Sequence, residues 1–122
     1  MLALAKTKTN SYDYDGSANT VTITMNIEKK TSGSTLNIAL EGRLDTTTAP
    51  QLDAELKSSL SGITELNMDF EKLEYLSSAG LRVLLSAQKV MNHQGEMTIS
   101  HVNEMIMEVF EVTGFIDILT II

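Results

Sequence analysis

The apolar residues of this chain keep changing period, and that switching constrains the fold more than any other feature of the sequence. Val21, Ile23, Met25 and Ile27 alternate with Thr22, Thr24, Asn26 and Glu28, as in a strand with one buried face. Thr31-Ser-Gly-Ser34 is turn chemistry. Leu36, Ile38 and Leu40 then alternate again, so the two strands read as a hairpin. The period lengthens after Gly42: Ala49, Leu52, Leu56 and Leu60 follow helical spacing. Asp45 and the Thr run supply candidate caps, Pro50 fits a first turn and Gly62 a stop. Leu66, Met68 and Phe70 return to alternation. A second helix spans about Ser78 to His93, with Ala79, Val83, Leu84, Ala87, Val90 and Met91 on one face and Gly95 stopping it. Met97 and Ile99 mark a further strand. Asn103 caps a third helix with Ile106, Val109 and Phe110 inward, and Gly114 ends it. Phe115 to Ile122 reads as a short turn and a last edge strand. The order β-β-α-β-α-β-α-(β) is that of an α/β domain with parallel pairing after the hairpin.

One core suffices for 122 residues. With aromatics at 5% and no Trp, that core is aliphatic, and Met fills its gaps. The absence of Cys excludes disulfides, thiolate metal sites and a Cys nucleophile, and suits a cytoplasmic location. No apolar run reaches the ~18 residues that span a membrane, and Met1-Leu-Ala-Leu-Ala5 is too short for a signal-peptide core. Residues 1–19 are polar and read as a disordered leader or a cloning remnant ahead of a domain over 20–122; Met25 is an alternative start. Lys6, Lys8, Asp13 and Asp15 cancel, so the whole net charge of −7 falls on residues 25–122. Such a surface disfavours nucleic acid and anionic membranes and suits a protein partner.

The chemistry concentrates at Tyr75-Leu-Ser-Ser-Ala-Gly-Leu81, where a strand passes through a loop into a helix. The amides of a first helical turn are unpaired and carry partial positive charge, so a phosphate is well tolerated there. Small Ala79 and Gly80 let another protein approach the backbone closely. On spacing alone, the simpler reading of Ser77 or Ser78 is a plain N-cap.

Two motifs, Gly42-Arg-Leu-Asp45 before a Thr/Ala/Pro helix start and Tyr75-Leu-Ser-Ser-Ala-Gly-Leu-Arg-Val-Leu-Leu85, resemble the STAS domain of bacterial anti-sigma factor antagonists, and Phe110-Glu-Val-Thr-Gly-Phe115 resembles that family's closing helix. The resemblance implies a single domain with a mixed four- to five-stranded sheet, an N-terminal hairpin followed by parallel strands, and helices mainly on one face. It implies that Ser78 is a phosphoacceptor. The family often has Asp where this chain has Ser77, which makes Ser77 a second candidate. The implied partners are an anti-sigma factor that is also an ATP-dependent serine kinase, bound by the unphosphorylated domain, and a phosphatase that resets the cycle. The implied contact surface is Asp45, Thr46, Leu76, Ser77, Ser78, Ala79, Gly80 and Arg82, on a cytoplasmic monomer or weak dimer.

Other readings stay open beside this one. Asp45 also suits a cap for Thr46–Ala49, and Arg82 a solvated surface position or a phosphate contact. Glu71 and Glu74 read as exposed loop charges. A STAS-type interaction or small-ligand module of another signalling or transporter-associated assembly differs in partner, not in fold. A hydrolase using Ser78 lacks the Gly before the nucleophile that an elbow needs, and His93 and His101 are its whole supply of bases. Neither histidine has a partner at metal-ligand spacing, so no cofactor, metal or catalytic residue is expected.

Overall fold

The computed structural model describes residues 5–8 and 25–122. Its strands are β1 (Ala5–Lys8), β2 (Met25–Ser32), β3 (Thr35–Leu44), β4 (Glu65–Leu76) and β5 (Glu96–Ser100). Its helices are α1 (Ala49–Ser59), α2 (Ser78–Gln94) and α3 (Glu104–Thr113). The strands form one sheet in the order β1-β2-β3-β4-β5. The first two pairings are antiparallel, the last two parallel. Ala5–Lys8, which composition assigned to a leader, thus pair with β2; the rest of that leader, and Val21 and Ile23 of the first expected strand, lie outside the described residues.

The hairpin is closed by Gly33 and Ser34, with Ser32 opposite Thr35. Gly33 has φ +63°, the left-handed backbone that the first central residue of such a two-residue turn requires. Alternation then sends Met25, Ile27, Leu36, Ile38, Leu40, Leu66, Met68, Phe70, Met97 and Ile99 into one buried layer. α1 contributes Leu52 and Leu56, α2 Leu81, Leu84 and Met91, and α3 Ile106 and Phe110, so all three helices cover this face. The opposite face is polar. There Asn67 Nδ2 donates to Asn37 Oδ1 at 3.0 Å and Thr98 Oγ1 donates to Asn67 Oδ1 at 2.9 Å, a ladder of amide and hydroxyl contacts across β3, β4 and β5.

The structure differs from the sequence expectations at several places. The loop expected after Phe70 is strand: β4 runs on to Leu76 beside the end of β3, through Gly42–Leu73, Arg43–Tyr75 and Leu44–Leu76. Register shifts after Ala39 and Gly42 change the inward spacing from Phe70 to Leu73 to Leu76, so the strand no longer alternates. The last edge strand is reduced to a single bridge. After a 3-10 turn over Phe115–Asp117, Ile99 N–H donates to Thr120 O and Ile122 N–H to Ile99 O, both at 2.9 Å. Val90, expected inward, is 42% exposed, and Gln88 and Leu81 take the buried side of α2 in its place.

Candidate functional site

The junction between β4 and α2 is built around Ser77. Its backbone is extended, with φ −103° and ψ 177°. Its N–H donates to Leu44 O at 2.9 Å, which ties the start of α2 to the end of β3. Its Oγ accepts from the Ala79 amide at 3.2 Å and, more weakly, from the Gly80 amide at 3.4 Å. Ser77 is therefore the N-cap, half-buried and already employed. Ser78 is the first helical residue and is exposed, and its hydroxyl is engaged by none of the described residues.

Gly80 sets the closeness of this junction. It is buried, and a Cβ placed there would lie 2.7 Å from both Leu44 Cγ and Leu76 Cδ1. Leu76 is itself only 4% exposed. These residues therefore hold α2 against the ends of β3 and β4 rather than offering surface to a partner.

The β3–α1 loop is internally bonded. Asp45 Oδ1 accepts from Thr47 N–H at 3.0 Å, from Thr47 Oγ1 at 2.8 Å and from Thr48 N–H at 3.3 Å. Thr48 is fully buried; its hydroxyl donates to Arg43 O at 2.7 Å and accepts from Asp45 N–H at 2.9 Å. Partial burial pushes the Asp45 carboxyl pKa up, but the Thr47 and Thr48 hydrogen bonds together hold it below the ordinary value. Its second oxygen lies 3.6 Å from Arg43 Nε, and the Arg43 guanidinium stacks 4.2 Å over the Tyr75 ring. Asp45 is thus engaged inside its own loop. The Thr48 anchor and the Arg43–Tyr75 stack escaped sequence reading. The stack depends on the parallel pairing of β3 with β4, and pairing Arg43 with Tyr75 needs the register shift at Gly42.

Thr46, Ala79 and Arg82 come together, lining one shallow groove between the starts of α1 and α2 with Ala49 and Val83 beneath. Arg82 is exposed, has no ion-pair partner among the described residues, and follows Ser78 by one helical turn.

The histidines lie elsewhere. His93 is at the far end of α2, ~22 Å from Ser78 at the 1.5 Å rise per residue of a helix. His101 Nδ1 meets Asp69 Oδ1 at 2.9 Å, at a residue of β4 well before the junction. Sequence separation hid a cluster here: donor atoms of Asp69, Glu71 and His101 lie within 4.8 Å of one another. No described helix is long and apolar enough to cross a membrane.

The STAS domain family model matches residues 26–122. The Bordetella bronchiseptica protein BtrV, which bears the name of an anti-sigma factor antagonist, is 40% identical over 81 residues, 65% of this chain and 70% of its own. Among solved structures, an anti-sigma factor antagonist from Mycobacterium paratuberculosis superposes with a TM-score of 0.73 at 16% identity, covering 80% of this chain and 84% of its own. The Bacillus cell fate determinant SpoIIAA in its phosphorylated form gives a TM-score of 0.63 at 19% identity, covering 79% and 90%. At these identities the two structures show a shared fold.

Proposed function

The chain belongs to the STAS domain family, and on that premise we propose that it is an anti-sigma factor antagonist switched by phosphorylation of Ser78. In this reading the unmodified groove beside Thr46, Ser78, Ala79 and Arg82 binds an anti-sigma factor that is also a serine kinase, which releases the sigma factor. The kinase then phosphorylates Ser78, binding ends, and a phosphatase restores it. The domain works in the cytoplasm as a monomer or weak dimer. The bond-making chemistry belongs to the kinase.

The observation that carries the proposal is the division of labour between two adjacent serines. Ser77 holds the cap, so Ser78 keeps an exposed hydroxyl on a helix that does not need it. A phosphate there adds about −1.5 to −2 charge. The positive end of the α2 dipole and Arg82 one turn on favour that charge, so the fold tolerates it. The added negative charge stands next in sequence to Ala79 of the groove wall, and a partner fitted to the unmodified surface is repelled. The name of BtrV and the phosphorylated form of SpoIIAA support the same reading.

The test is a binding assay with the anti-sigma factor serine kinase of the source organism, the partner this reading requires. Ser78→Ala should bind as the parent does, and Ser78→Asp should bind at least about tenfold more weakly, the equivalent of ~1.4 kcal/mol. Equal affinity of all three proteins would refute the switch.

A further inference from the structure

Beyond Val102 the chain carries four acidic residues and no Lys, Arg or His. Helix α3 lies in this stretch. Its inner side is buried through Ile106 and Phe110, both fully inaccessible. Its outer side is not polar in the usual way: Met105 is 56% exposed and Val112 78% exposed. At 100° per residue Met105 and Val112 fall on one stripe, with Val109 between them half-buried against the core, and Glu104, Glu108 and Glu111 run alongside it. None of these glutamates has an ion-pair partner among the described residues. Scattered exposed apolar side chains need no explanation. Two strongly exposed apolar side chains on one stripe, bordered by a single charge sign, are the composition of a docking surface.

We propose that this stripe of α3 docks a basic amphipathic segment of another protein, one with apolar residues at helical spacing flanked by Lys or Arg. Charge selects this occupant over the others. A second copy would bring its own glutamates against these, on molecules that each carry −7. Residues 9–24 of the same chain hold Asp13 and Asp15 and no basic residue, so they lack the complement. An anionic bilayer is repelled for the same reason. Burial of Met105 and Val112 supplies the affinity. The glutamates add little energy each in water but steer and orient the incoming segment. The surface is separate from the Ser78 groove and does not depend on the switch.

The experiment uses the isotope-labelled full chain and a synthetic helix of about 18 residues with Leu at i, i+4 and i+7 and Lys beside them. The control is the same peptide with Glu replacing Lys. The Lys peptide should bind saturably, with NMR shift changes centred on Met105–Val112. Affinity should fall about tenfold or more in Val112→Asp and in Glu108→Lys/Glu111→Lys, and should weaken with added salt. All three altered side chains are exposed, so folding is preserved and is checked by the rest of the spectrum. The proposal is overturned if the two peptides bind alike, or if the shifts map to the α1–α2 groove. It is equally overturned if the chain alone sediments as a dimer that Val112→Asp dissociates, since the occupant is then a second copy, or if the Lys peptide binds only after residues 1–24 are removed.

Discussion

The hydroxyl oxygen of Ser77 accepts the amide of Ala79 at 3.2 Å, and this contact separates two neighbouring serines into a cap and a free hydroxyl. Ser77 meets the helix-start requirement with a neutral side chain. The residue before the proposed acceptor thus has a structural task whatever its charge.

Removing that cap should cost stability in a predictable way. Ser77→Ala should destabilise the domain by about 1 kcal/mol, the usual cost of a lost Ser cap. Ser77→Asp keeps an acceptor and adds a favourable charge at the helix start, so it should be neutral or stabilising by ~0.3–1 kcal/mol. Ser78→Ala removes no contact and should stay within about 0.5 kcal/mol of the parent. Urea unfolding of the three proteins measures the series. A larger loss for Ser78→Ala than for Ser77→Ala would reverse the assignment of roles.

Gly80 should tolerate no side chain. An added methyl would press on Leu44 Cγ and Leu76 Cδ1, each 2.7 Å away and part of the packed core. Overpacking of this kind costs about 1–3 kcal/mol, more than the gain in helix propensity, which is below ~1 kcal/mol. Gly80→Ala should therefore lower the urea midpoint and disturb NMR signals of both leucines. An unchanged midpoint would mean that the α2 start is looser than its contacts imply.

The pH response of the open face follows from His101. Its pKa is raised above the ordinary 6.5, first by the hydrogen bond to Asp69, then by the Asp69 charge, with Glu71 adding less. A raised folded-state value favours the protonated form in the fold. The contribution is thus complete below about 6.5 and is lost as pH rises through the folded-state pKa. Asp69→Asn should return the His101 titration toward the ordinary value, as followed by NMR. A His101 titration that is unmoved by Asp69→Asn would exclude the pair in solution.

Much of this fold was legible because its elements obey simple periods. The hairpin, the three helices, Asn103 as a cap whose Oδ1 accepts Ile106 N–H at 2.8 Å, and Gly114 with φ +83° all follow from local rules. What escaped depends on neighbours. The second half of β4 loses alternation because register shifts against β3 change which residues face inward. Thr48 reads as one of three threonines, and only the closeness of Arg43 O and Asp45 N–H makes it a buried anchor. Val90 fits the apolar stripe of α2 by spacing, yet it stays exposed, lining a groove between α1 and α2 with Leu56, Leu60 and Ala87. At the site itself the strand-to-helix junction was readable, with the helix starting at Ser78. The inward roles of Leu76 and Gly80 required the packing of α2 on two strand ends.

The central claim is that Ser78, not Ser77, receives the phosphate. Incubation of the domain with ATP and its native kinase, followed by phosphosite mapping by mass spectrometry, tests it directly. The account predicts a single phosphate on Ser78, lost in Ser78→Ala and retained in Ser77→Ala. Full labelling of the Ser78→Ala protein, or a phosphate mapped to Ser77, would contradict it.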